Sequence, residues 1–298
     1  MKILLTGGGG FIGAWITLRL LEDGHTVRVF DRAERRGLMR RVAGERADDV
    51  EWICGDIVCA QEVSAAFAGC GGVIHLAGLL TPDCRADPLR GLEVNLAGTV
   101  NVFESARQQG LGRVVYCSTA GVYGPDDGAR PDPATLYGVY KLAGEGVARV
   151  YALEHGIASV GFRPYIVYGP GREGGASAGP SLACRAAVRG EPFVIPYTGS
   201  AGMVYVDDVA DAFARALSAP RDGAHVFNLQ GETASTARIV ECIRSLVPGA
   251  RVRAHGAPLP IAPVLAPDAL REQLHGLRHT SLAQGLAATI GAYRAWEG

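Results

Sequence analysis

Short apolar and β-branched runs alternate with longer helical patterns along the first half of the chain. KILLT, TVRVF, VEWIC, GVIHLA, RVVYCS and SVGFR have the length and composition of buried strands. Between them lie a helix ending at Asp23, a basic segment, a short helix after VEWIC, a long helix near Asp87 to Gln109, and another from about Ala134 to His155. Strands and helices alternating at this spacing predict parallel βαβ units, and so an α/β fold built on a doubly wound parallel sheet.

After Arg163 the pattern changes. YGPGREGGASAGPS is rich in glycine and serine and reads as a loop. The strand-like MVYV and the helix DDVADAFARAL are expected to return to the first unit. The expected organisation is a nucleotide-binding domain of residues 1–170, joined again by 203–229, with 171–202 and 230–298 making a small substrate lobe.

The chain has 298 residues, 48% of them hydrophobic, with 29 basic against 30 acidic side chains. That balance offers no general attraction to nucleic acid or to anionic lipid, so neither is an expected partner. No apolar run has the length of a membrane span, and MKILLTGGGG breaks into glycines too soon for a signal peptide. A cytoplasmic location is therefore expected. The seven cysteines are odd in number and scattered without a CxxC pair, and they read as reduced, buried small hydrophobes.

TGGGGFIG, Thr6 to Gly13, follows a strand and opens a helix. Both GxGxxG (Gly8, Gly10, Gly13) and GxxGxxG (Gly7, Gly10, Gly13) fit it. In that setting the missing side chains let backbone approach a pyrophosphate, whose charge the helix N-terminus stabilises, which points to a Rossmann domain. Asp31 ends the second strand, 21 residues after Gly10, where an acid would accept hydrogen bonds from the adenosine ribose hydroxyls. This favours NAD. Arg32, Arg35 and Arg36 follow at once and keep NADP open, since arginines can clasp a 2'-phosphate.

TLYGVYK places Tyr137 and Lys141 four residues apart, on one helical face. An adjacent ammonium favours the phenolate and draws the tyrosine towards acid/base work near neutral pH. Taken alone, such a pair is more often an ordinary surface contact. RVVYCSTAGVYG, however, sets the hydroxyls of Ser118 and Thr119 at the end of the fifth strand, the sheet edge where open α/β folds bind ligands. A hydroxyl there can steady the charge on a reacting oxygen.

TGGGGFIG, Asp31, GDI at 55–57, HLAG at 75–78, NLAGTVN, STAGVYG, YGVYK, RPYIVYGPG and VYVDDVADAF stand in the order seen in the extended short-chain dehydrogenase/reductases. The chain resembles that family, also called the NAD-dependent epimerase/dehydratase family, over about its first 220 residues. The resemblance implies that Tyr137 is the catalytic acid/base, that Lys141 binds the nicotinamide ribose and lowers the tyrosine pKa, and that Thr119 orients the substrate oxygen. It implies pyrophosphate contacts for Gly7, Gly10, Phe11 and Ile12, adenosine ribose contacts for Asp31 and Arg32, and an adenine pocket at Asp56 and Ile57. Leu76, Ala77 and Gly78 would flank the cofactor, with Asn95 on the nicotinamide side and Pro164 beneath it. It also implies a homodimer joined through the two long helices.

Departures from the family pattern bear on the substrate. Tyr165 and Ile166 stand where nucleotide-sugar enzymes usually have an amide, and Ala201 and Gly202 replace an Arg-Asp pair whose arginine grips a diphosphate. Ala120 and Gly121 replace the acidic pair of the dehydratases. Arg172, Arg185 and Arg251 remain candidates to replace the missing arginine, and GREGGASAGPS could present amides, hydroxyls and Arg172 to a small polyol or acid. With Thr119, Tyr165 and Arg172 as substrate contacts, the expectation is an NAD(P)-dependent oxidoreductase acting on a secondary alcohol or ketone of a small polar substrate such as a sugar or sugar acid. A nucleotide-sugar 4-epimerase that retains its NAD is the alternative, and a non-catalytic NAD(P) sensor a third reading. His275 and His279 in HGLRH share a helical spacing but lack acidic or thiolate neighbours, so no metal site is expected.

Overall fold

In a computed structural model of the chain, described for residues 1–297 except 126–127, 219–221 and 266–268, seven parallel strands form the central sheet. These are β1 (Lys2–Thr6), β2 (Thr26–Asp31), β3 (Glu51–Cys54), β4 (Gly72–His75), β5 (Arg113–Cys117), β6 (Ala158–Pro164) and, later in the chain, β10 (Ala224–Leu229). Their order is β10-β6-β5-β4-β1-β2-β3. The chain thus winds one way from β1 to β3 and the other way from β4, leaving a crevice between β1 and β4 at the carboxyl ends of the strands.

Alternation along β1 shows how both faces fill. Ile3 and Leu5 join Val29, Ile74 and Val115 in one core, and Leu4 joins Phe30, Val73 and Val114 in the other. Helices α1 (Phe11–Glu22), α2 (Arg36–Ala43) and α9 (Val206–Ser218) cover the first face, and α3 (Ala60–Ala66), α6 (Gly98–Gln108) and α7 (Leu136–His155) the second. The long helix predicted near 87–109 is built in three parts: α5 (Pro88–Leu92), a π turn (Glu93–Ala97) and α6, with the short α4 (Thr81–Ala86) before it.

Beyond β6 the strands are shorter. β7 (Ile166–Tyr168) pairs in parallel with β9 (Ser200–Tyr205), which pairs antiparallel with β11 (Glu232–Ser235), while β8 (Phe193–Ile195) pairs with β12 (Val252–Ala254). The MVYV segment therefore lies in this three-stranded sheet; it is α9 and β10 that rejoin the large one. Helices α8 (Gly179–Val188), α10 (Thr236–Leu246), α11 (Leu270–Gln273) and α12 (Leu282–Glu297) complete the C-terminal part. His275 and His279 fall between α11 and α12, outside any helix, and no group of three potential metal ligands occurs among the described residues. No helix among them is long and apolar enough to cross a membrane.

Candidate active site

A cavity of about 1020 Å³ runs along the carboxyl edge of the sheet. The glycine loop shapes one end. Gly7 adopts φ +71°, and a Cβ there would lie 2.6 Å from the Ala77 amide nitrogen, so the ends of β1 and β4 meet only because the side chain is missing. Gly13 sits equally close to Gly8, where a Cβ would be 2.6 Å from its Cα, which seats α1 against the loop. The first-turn amides of α1 have no intrahelical partner and face this space, a cradle that fits a pyrophosphate.

Asp31 lines the same end, accepting from the Gly9 amide at 3.0 Å and the Arg32 amide at 2.7 Å. Its carboxylate keeps further lone pairs for ribose hydroxyls. Arg32 and Arg35 also line the wall, whereas Arg36 pairs with Glu34. Asp56 and Ile57 border the adenosine side. Burial opposes the charge on Asp56, but the Val58 amide and Arg90 outweigh it and hold the carboxyl below its ordinary range.

Asn95 departs from expectation. It is buried in the π turn and does not line the cavity; its amide binds both the amide nitrogen and the carbonyl of Leu79, at 3.2 Å each, and the Gly91 carbonyl at 3.0 Å. It fastens the loop after β4, so its influence on the cavity passes through Leu76, Ala77 and Gly78, which do line it.

Midway along the cavity the structure brings together Thr119, Tyr137 and Lys141. The Thr135 hydroxyl caps α7 by accepting from the Gly138 amide at 3.1 Å, which starts the helix immediately before Tyr137. Tyr137 lies beside Thr119, whose hydroxyl accepts from the Gly121 amide at 3.0 Å. Lys141 is buried and donates to the Cys117 carbonyl at 2.9 Å, with its ammonium 6.0 Å from the centre of the Tyr137 ring.

Burial, with the neighbouring Cys117 thiol, pushes Tyr137 above the ordinary phenol range, and Thr119 and Arg172 only partly oppose it. Burial likewise pushes Lys141 down, against the opposing pull of Cys117 and Cys84. In the protein alone, the Lys141 ammonium is directed at the Cys117 carbonyl and is itself desolvated, and burial dominates the phenol.

Ser118 turns away from the cavity's chemistry. Its hydroxyl donates to Glu145 at 2.5 Å, and Glu145 pairs with Arg163, which donates in turn to the Tyr123 hydroxyl at 2.5 Å. Of the two hydroxyls at the end of β5, Thr119 is left for a substrate oxygen. Glu145 escaped the sequence reading, although its position four residues past Lys141, on the same face of α7, was a usable signal.

At the far end lie Pro164, Tyr165 and Arg172. The loop after β7 is held by Trp15, which donates to the Pro170 carbonyl at 3.2 Å, and by Tyr293, which accepts from the Gly171 amide at 3.1 Å. Leu38 of α2 packs on Gly171, where a Cβ would be 2.3 Å from its Cδ1. Arg172 donates to the Val167 carbonyl and to Ser177 Oγ, the latter at 2.8 Å, and burial lowers it to about 10. Tyr165 is buried, its hydroxyl without a partner among the described residues, and burial pushes it up to about 12. Leu80, Leu259 and Ile261 add an apolar wall.

Residues 3–229 match the family described as the NAD dependent epimerase/dehydratase family. The chain is 32% identical to UDP-glucose 4-epimerase of Mycolicibacterium smegmatis over 99% of both proteins. It is 35% identical to uronate dehydrogenase of Agrobacterium fabrum over 159 residues, covering 50% of this chain and 55% of that protein. Among solved structures, the Thermus thermophilus UDP-glucose 4-epimerase complex with NAD superimposes with a TM-score of 0.83 at 28% identity, covering 99% of each chain.

Proposed function

Because the chain belongs to the NAD-dependent epimerase/dehydratase family, we propose that it is an oxidoreductase moving a hydride between the nicotinamide of NAD and a secondary alcohol or its ketone, on a small polar substrate such as a sugar or sugar acid. The observation that carries this reading is that Thr119, Tyr137 and the buried ammonium of Lys141 line one cavity at the sheet edge, the ammonium 6.0 Å from the centre of the Tyr137 ring. NAD, when bound, accepts or supplies the hydride and in its oxidised form adds positive charge. Gly7, Gly10, Phe11, Ile12, Asp31 and Arg32 would hold its adenosine and pyrophosphate, and Lys141 its nicotinamide ribose.

The protein's own groups manage the proton. Thr119 orients the substrate oxygen, and Tyr137 gives that oxygen a proton during reduction or takes it during oxidation. The raised phenol favours the acid role, so alcohol oxidation draws on the positive charge that accompanies the oxidised cofactor.

A second reading, a nucleotide-sugar 4-epimerase, is favoured by the end-to-end likeness to the M. smegmatis enzyme. Denaturing freshly purified protein and assaying the released nucleotide separates the two. An epimerase regenerates its NAD each turnover and can retain it, so about one NAD per chain would favour the epimerase. An empty protein that reduces added NAD supports the dehydrogenase.

The same reading includes a cytoplasmic homodimer. Leu136, Val139, Val150 and Leu153 leave an apolar stripe exposed on α7, beside exposed Leu92 and Val100 next to it, and a second copy would cover them. A monomer mass by light scattering would refute this part.

A further inference from the structure

We infer that Arg172 forms a subsite for a single carboxylate on the substrate, which makes the molecule turned over a sugar acid or a similar hydroxy or keto acid rather than a nucleotide-diphosphate sugar. The inference rests on the hydride-transfer reading above and narrows it.

Three observations converge. The Arg172 guanidinium lines the cavity and has neutral partners, Val167 O and Ser177 Oγ, but no carboxylate among the described residues. It stays charged at neutral pH, and a desolvated cation without a counter-ion is completed by an anionic ligand. A guanidinium also matches a carboxylate in shape, presenting parallel N–H groups.

Charge counting separates a carboxylate from a diphosphate. The cationic side chains lining the described cavity are Arg32 and Arg35 at the adenosine end, Lys141 in the middle and Arg172 alone at the substrate end. Neither arginine that might have replaced the missing clamp reaches the cavity: Arg185 pairs with Glu173 at 3.0 Å and Glu297 at 2.7 Å, and Arg251 donates to the Gly190 carbonyl at 2.7 Å. The arginine's place on β9 is held by Ala201, which brings no charge. Beyond Arg172 the wall is Leu259, Pro260 and Ile261, which offer no charge to a second phosphate.

The test measures NAD reduction with a panel of uronates, aldonates and 2-hydroxy acids. Each acid is paired with its neutral alcohol, and UDP-glucose and UDP-galactose are included, for the native protein and for Arg172→Gln, Arg172→Lys and Tyr137→Phe. NAD affinity of each variant is measured alongside as a check on folding. The expected result is an acid preferred at least about 100-fold in kcat/KM, with Arg172→Gln losing about that factor on the acid, Arg172→Lys losing less, and NAD affinity within about two-fold. Preference for neutral or UDP-linked sugars, retention of acid turnover by Arg172→Gln, or no acid turned over would each overturn the subsite. Turnover that survives Tyr137→Phe would instead overturn the hydride-transfer reading.

Discussion

Arg163 clasps Glu145 with two prongs, Nε to Oε1 at 2.8 Å and Nη2 to Oε2 at 2.5 Å, in a buried pair. The pair links β6 to α7 one turn past Lys141, and through Ser118 it reaches the end of β5. Removing one partner strands the other charge in a desolvated site. Glu145→Ala is expected to lower stability by about 3 to 5 kcal/mol in urea unfolding. A loss under about 1 kcal/mol would mean that water reaches Arg163.

On the proposed mechanism, Tyr137→Phe removes the proton-transfer group and little else. It should cut kcat by about 10²- to 10⁴-fold while leaving NAD affinity unchanged. Reduction needs the neutral phenol and oxidation the ionised one. With the phenol raised by burial, ketone reduction should hold at neutral pH and fall only in alkali, while alcohol oxidation climbs with pH. Rate profiles in both directions check the sign, and an oxidation rate flat from neutral to alkaline pH would contradict it.

Gly138 gives a test of placement rather than chemistry. A Cβ there would lie 2.4 Å from the Gly121 carbonyl, so Gly138→Ala must push the start of α7 away from the loop that carries Thr119. The strain should cost about 1 to 3 kcal/mol, and kcat should fall because Tyr137 and Thr119 separate. Wild-type activity in this variant would show that the two elements move together.

His75 is buried between Thr6 at 2.7 Å and Thr99 at 3.1 Å, and desolvation, with Lys141 adding to it, holds it down to about 3. The unfolded chain binds a proton near pH 6.5 that the folded chain refuses, so this group's contribution is full above about pH 6.5 and lost as pH falls. Stability should drop by up to about 1.4 kcal/mol per unit below about pH 6.5 from this residue. Urea titrations of native protein and His75→Asn at about pH 7 and pH 5 isolate the effect; equal slopes with pH in both would exclude it.

The glycine loop, the acid at the end of β2 and the shared face of Tyr137 and Lys141 were legible in the sequence because each is local. TGGGGFIG between strand and helix, an acid closing the next strand, and a tyrosine four residues before a lysine depend on helical and strand periods that short-range sterics set. Other features were decided by contacts between distant segments. Asn95 was expected beside the nicotinamide, and its amide is hydrogen-bonded to Leu79 in the loop after β4 and to the Gly91 carbonyl. Lys141 was expected to act on Tyr137 and is directed at the Cys117 carbonyl, a group that no residue code displays.

By itself, then, the sequence determined the order of strands and helices, the phosphate cradle and the shared face of Tyr137 and Lys141, since each follows from spacing along one element. Tertiary structure alone decided that Ser118 faces Glu145 while Thr119 faces the cavity, that Arg185 is taken up by Glu173 and Glu297, and that Arg172 is left among neutral partners. Those outcomes turn on sheet register and on which charges meet across the chain, and desolvation then sets the ionisation of what is left.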